Sequence, residues 1–123
     1  MNRFVILLLL LMGCQSDEAD RAELLTKPAQ QIGQTSAVLE AEILQMGPLR
    51  PITYGFLYDV QSDFTIASAA NQYIGGSTSD PITYSIKVES FVPNTTYYYK
   101  SFAANSDFTQ IYYGAVVSFT TLP

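Results

Sequence analysis

From Leu24 onward apolar residues return at every second position, a period that strands satisfy and helices do not. Ala37, Leu39, Ala41 and Ile43 alternate with Val38, Glu40 and Glu42; Tyr54, Phe56 and Tyr58 alternate with Thr53, Gly55 and Leu57. Ile82, Tyr84, Ile86 and Val88 alternate with Thr83, Ser85, Lys87 and Glu89, and Tyr97, Tyr99, Ser101 and Ala103 share one face of a further strand. Gly114 to Thr121 reads as the last strand, with Ala115, Val117 and Phe119 facing inward. Successive side chains on a strand point to opposite faces, so each run buries one side and wets the other. Breakers separate the runs at Met46-Gly47-Pro48, at Gly75 to Pro81 and at Asn105. Gln61 to Asp80 is the least regular stretch; Phe64 to Ile66 and Gln72 to Ile74 are expected to be short edge strands. Strands with turn signals at regular intervals predict an all-β antiparallel sandwich of two sheets over residues 24–123.

The N-terminus obeys a different rule. Phe4 to Met12 runs FVILLLLLM behind a single positive charge at Arg3. That is well short of the roughly 20 apolar residues of a membrane-spanning helix, so it reads as the core of a secretory signal. Leu11, Met12, Gly13 and Cys14 resemble the bacterial lipobox, with an aliphatic residue at −3, a small residue at −1 and then cysteine. The resemblance implies a signal peptide over residues 1–13, a covalent lipid on the Cys14 thiol and cleavage before it. An ordinary secretory signal with a chance cysteine is the alternative. Residues 14–23 then form a lipidated cysteine and a polar tether that reaches roughly 35 Å when extended. Asp17 and Glu18 resemble the acidic signal that sends some lipoproteins to the outer face of the outer membrane; a plain soluble linker reads equally well. The expected location is the outer membrane, lipid-anchored and facing the cell surface, with a periplasm-facing placement still open.

Composition excludes several kinds of chemistry. Cys14 is the only cysteine and there is no histidine, so a lipidated chain keeps neither Cys- nor His-based nucleophiles nor a zinc site built from them. Eleven Asp and Glu against six Lys and Arg leave no basic patch for nucleic acid. Membrane contact is therefore expected through the acyl chain alone. Asp59, Asp63, Asp80 and Asp107 fall near strand ends without the spacing of a calcium loop, and turn chemistry accounts for each. No metal, cofactor or enzymatic activity is expected beyond the covalent lipid.

Phe91-Val92-Pro93-Asn94-Thr95-Thr96-Tyr97 resembles the fibronectin type III segment hydrophobic-x-Pro-x-Thr-x-Tyr. The match implies an immunoglobulin-like (fibronectin type III-like) two-sheet antiparallel sandwich of about seven strands, with Tyr97 as the corner tyrosine, whose hydroxyl bonds the backbone of the connection before its strand. ITYGFLY, YYYKSFAANS and YYGAVVSFTT are similar to the third strand and the closing pair of such modules in bacterial surface lipoproteins. The tryptophan common on the second strand is absent; Leu39 and Ala41 stand in that region, with bulky Tyr and Phe on the facing strands to fill the volume.

Two surfaces are candidates for partner binding. Tyr98, Lys100 and Phe102 are expected to form an outward aromatic–cation–aromatic row beside Val116 and Ser118, although aromatics also have high strand propensity without any ligand. The stretch NSDFTQIYYG carries Phe108, Ile111, Tyr112 and Tyr113, which are apolar for a loop. Alternatively Ile111 to Tyr113 extend the strand and Phe108 folds over the sandwich end. Two function classes follow: a non-catalytic protein-interaction, adhesion or spacer module of the cell envelope, such as an accessory subunit of an outer-membrane assembly, or a surface glycan-binding protein using outward aromatics.

Overall fold

The computed structural model describes residues 21–123; the apolar leader, Leu11, Met12, Gly13, Cys14 and the tether up to Asp20 lie outside the described residues. Eight strands follow in chain order: β1 (Glu23–Gln30), β2 (Ala37–Gln45), β3 (Ile52–Asp59), β4 (Asn71–Thr78), β5 (Thr83–Val88), β6 (Thr96–Ala104), β7 (Ile111–Tyr113) and β8 (Val117–Thr120). They make two antiparallel sheets, one of order β1-β2-β5 and one of order β4-β3-β6-β7 in which β8 also pairs with β6. No helix among the described residues is long and apolar enough to cross a membrane. The two-sheet sandwich expected from the period-two pattern is the architecture the chain adopts.

The alternation does the folding work. Ala37, Leu39, Ala41 and Ile43 on β2 have no exposed surface, while the residues between them stay partly wet. Fully burying a side chain such as Leu39 or Ile43 contributes about 1.5–3 kcal/mol. The small alanines leave room for rings from the facing sheet. Phe56 and Tyr99 lie 6.0 Å apart, Tyr99 and Phe119 5.9 Å, Phe119 and Phe91 5.2 Å, and Phe91 and Tyr97 4.5 Å. This chain of edge and tilted contacts fills the core without a tryptophan. Each buried phenol also needs a partner: Tyr84 donates to the Gly55 carbonyl at 2.9 Å, beside the register shift between β3 and β4, and Tyr99 donates to the Lys27 carbonyl. Burial pushes both hydroxyls far above the usual tyrosine range, so they remain donors.

Two expectations are corrected here. Gln72 to Ile74 belongs to β4, but Phe64 to Ile66 forms no strand; Thr65 and Ser68 close a turn there, and Phe64 is buried against the outside of the larger sheet. The last strand is not continuous either. It divides into β7 and β8 around Gly114, Ala115 and Val116, leaving Ala115 exposed rather than inward. Thr26 of β1 is the reason. Its Oγ1 accepts the Ser101 N–H at 3.1 Å and lies 2.9 Å from the Ser101 Oγ, while the Gly114 N–H takes the Ser101 carbonyl at 2.9 Å. A side chain thus occupies the place where the strand ladder would run.

The two chain ends of the domain lie at opposite poles. Arg21 sits against the β2–β3 connection, where the Gln45 side chain donates to its carbonyl at 3.1 Å. Leu122 donates to the Gly33 carbonyl and accepts from the Asn94 N–H, both at 2.9 Å, which seats the C-terminus among the β1–β2 and β5–β6 connections. The β6–β7 connection, with Phe108, belongs to the Arg21 pole; the β3–β4 connection, with Val60, belongs to the other.

Candidate functional site

Strand β6 sends Tyr97, Tyr99, Ser101 and Ala103 inward, so Tyr98, Lys100, Phe102 and Ala104 point to the outer face of the larger sheet. The row Tyr98, Lys100, Phe102 is not the open surface expected from the sequence. Phe102 is completely buried, in a second apolar cluster with Leu57, Phe64 and Ala104. Its ring lies over Gly55, where an added Cβ would come within 2.8 Å of it, and under Phe108, 6.2 Å away between ring centres. The cause is the segment 60–70, which crosses the outer face and lowers Phe64 onto it. Tyr98 packs half-buried at the margin of this cluster.

Lys100 is half-buried and fully engaged. Its Nζ donates to the Phe64 carbonyl and lies 4.9 Å from the Phe64 ring centre and 4.3 Å from that of Tyr113. Such cation–π contacts contribute about 0.5–1 kcal/mol or more as water is excluded. Burial lowers the Lys100 pKa, and the carboxylate of Asp63 opposes that shift.

The aromatic stretch at 105–113 divides into a turn and a strand. Asn105 closes the turn: its N–H donates to the Gln110 carbonyl, its Oδ1 accepts from the Gln110 N–H, and its Nδ2 donates to Thr109. Asp107 accepts both the N–H and the hydroxyl of Thr109, and these bonds hold its carboxyl below the usual range. Ile111 to Tyr113 are β7, a short strand of their own paired with Ala104 to Phe102. Tyr112 packs against the main core and Ile111 against the second cluster. Tyr113 is 36% exposed, and its Oη accepts the Ile66 N–H at 3.1 Å. Phe108, also 36% exposed, sits at φ 60, a conformation bulky side chains rarely adopt, with its ring tilted over Phe102.

Tyr97 is buried, and its Oη accepts the Val92 N–H at 2.8 Å. This satisfies a backbone donor in the connection between β5 and β6. Sequence reasoning missed Thr26, Phe64 and Gly114. Thr26 carried no signal, because only the fold brings it beside Ser101. Phe64 did carry one: a lone bulky apolar residue in a polar stretch.

Beside β7 an open groove of about 380 Å3 runs along the N-terminal part of β1, lined by Arg21, Glu23, Leu24, Leu44, Tyr112 and Tyr113 among others. Among the described residues no three His, Cys, Asp or Glu side chains converge in a metal-binding arrangement. Asp59, one of the turn aspartates, accepts the Gln61 N–H at 3.2 Å and the Ala70 N–H at 2.9 Å, tying together the two ends of segment 60–70.

Three strands packed on a second sheet around a tyrosine-rich core define the class: a fibronectin type III-like sandwich of the immunoglobulin kind. Solved structures agree. The solution structure of the sensor domain of the anti-sigma factor RsgI4 of Pseudobacteroides cellulosolvens matches with a TM-score of 0.62 at 20% identity, over 83% of this chain and 76% of that one. A shorter form of that sensor domain matches at 0.59 and 22% identity, covering 82% of this chain and 94% of that one. The fibronectin type III domain of human fibronectin type III domain containing protein 3 matches at 0.54 and 21% identity, covering 81% and 84%. At this identity the likeness is one of fold. No family model and no curated protein matches the chain.

Proposed function

We propose that the chain is a non-catalytic, lipid-anchored module of the bacterial cell envelope that meets a protein partner. The observation that carries this reading is Leu11-Met12-Gly13-Cys14 directly behind an apolar run and a few residues ahead of a sandwich domain. The chemistry of the domain supports it. Its buried polar side chains, Thr26, Ser101, Tyr84 and Tyr99, are occupied in holding backbone and strands together, and among the described residues no buried side-chain polar atom lacks a partner. The sensor domain of an anti-sigma factor with the same fold fits an interaction role.

The fold adds a direction. From Cys14 to Arg21 the chain spans roughly 25 Å at most, so the Arg21 pole with Phe108 faces the bilayer. The far pole, with exposed Val60, Val92 and Leu122, faces outward and is the surface offered to the partner. Feeding cells a clickable fatty acid tests the anchor: the wild type takes the label, whereas Cys14→Ala stays unlabelled and accumulates as precursor. A soluble, unlabelled wild type would end the lipoprotein reading. Protease added to intact cells then separates a surface-facing domain, which is cut, from a periplasm-facing one, which is protected.

A glycan-binding reading keeps one observation in its favour, the groove between Tyr112, Tyr113 and Arg21. Retention on a glycan array that disappears with Tyr112→Ala would support it over the protein-partner reading.

A further inference from the structure

Segment 60–70 has the construction of a separate body. None of its residues belongs to a strand ladder; its own backbone closes one turn, where the Ser68 and Ala69 N–H groups donate to the Thr65 carbonyl at 3.1 and 2.8 Å. Side chains pin it to the sheet at three points. The Asp59 carboxylate holds both ends through the Gln61 and Ala70 N–H groups. Lys100 holds the middle, through the Phe64 carbonyl and ring. Tyr113, on the neighbouring strand β7 and on the same outer face, holds the Ile66 N–H and lies against the same ammonium. Its apolar footing is also its own: Phe64, Leu57, Phe102 and Ala104 form a cluster distinct from the inter-sheet core.

We propose that residues 60–70 are a strap that opens as one unit, without unfolding the sandwich, and uncovers a continuous apolar face on the larger sheet. Removing the strap leaves every inter-sheet contact in place, because the core lies on the opposite side of β3 and β6. Cooperative units of this kind open at lower free energy than the whole domain. The face beneath is already rimmed by apolar side chains. The register runs straight across four strands from Ile74 through Gly55 and Phe102 to Tyr113, and Ile74, Tyr113 and Phe108 are exposed at its margins. Opening would join Leu57, Phe102 and Ala104 to that rim. The inference is independent of the lipid anchor.

Amide hydrogen exchange on the full-length protein in detergent micelles tests the strap. The Gln61, Ile66 and Ala70 amides should share one protection factor, about tenfold or more below that of the Leu39 and Tyr99 amides, with one common denaturant dependence that is smaller than that of global unfolding but above zero, because opening exposes the apolar face. Tyr113→Phe keeps the ring and the fold and should speed all three strap amides together. A thiol probe reads the uncovered face: in a Cys14→Ala background, Ala104→Cys should react under native conditions, faster again with Phe64→Ala, while Ala41→Cys in the main core stays inert. Three results would overturn the proposal: strap amides that exchange only with global unfolding, strap amides that fray at unrelated rates, or Ala104→Cys and Ala41→Cys reacting equally slowly.

Discussion

Tyr97 and Tyr98 are chemically identical neighbours with opposite duties. The Tyr97 hydroxyl holds the Val92 N–H, whereas Tyr98 packs half-buried on the outer face. Tyr97→Phe leaves that N–H without its partner and should cost about 1–3 kcal/mol in a denaturant melt, whereas Tyr98→Phe should stay within about 0.5 kcal/mol. Equal losses would mean that the corner bond does not hold the β5–β6 connection. Asp59 gives a residue-scale prediction in pH. The Ala70 and Gln61 N–H groups hold its carboxyl below the usual aspartate range, against a smaller opposing effect of burial. A depressed folded pKa means the anchoring is complete above the ordinary value of about 3.9 and is lost as pH falls through the lowered one. The protection factor of the Ala70 amide should therefore hold steady from neutrality to that range and drop below it. Asp59→Asn, which cannot titrate, should abolish the drop.

At the scale of elements, the broken last strand is the feature to test. The Gly114 backbone passes so close to Ser101 Oγ and Thr26 Oγ1 that any Cβ would collide with both. Gly114→Ala should therefore push Thr26 out of the gap and destabilise the domain. Thr26→Val is the cleaner variant: its shape is kept, but the buried Ser101 N–H and hydroxyl lose a partner, at a cost of about 1–3 kcal/mol by thermal or urea unfolding. A neutral Thr26→Val would show that water replaces the hydroxyl and that the gap does not depend on β1. The strands themselves were legible because alternation is local: β2, β5 and β6 can be drawn from the sequence to within a residue or two. The strap was not. Phe64 and Ile66 have the composition of a strand, and only the presence of an apolar outer face opposite them makes a covering loop the lower-energy choice.

At the scale of the whole molecule, the two ends lie at opposite poles, so the proposed anchor at Cys14 would leave the loops of the far pole to meet a partner. A photo-crosslinking residue at Val92 should capture protein in whole cells, and the same residue at Phe108 should capture lipid or nothing; capture of the same protein from Phe108 would reverse the orientation. By itself the sequence determined the class of fold, the buried faces of β2, β3, β5 and β6 and the tyrosine that bonds back across the β5–β6 connection, because periodicity and short motifs encode which side of a strand is buried. It also supplied the lipobox-like run Leu11-Met12-Gly13-Cys14 on which the anchoring proposal rests. The tertiary structure decided what the outer face of the larger sheet is. Tyr98, Lys100 and Phe102 do share that face, as period two requires, but alternation says only that a side chain leaves the inter-sheet core. Whether it then meets water or another piece of chain depends on residues far away in sequence: here on Phe64, Ile66 and Tyr113, which close over Phe102 and Lys100 and turn a would-be binding surface into a second core.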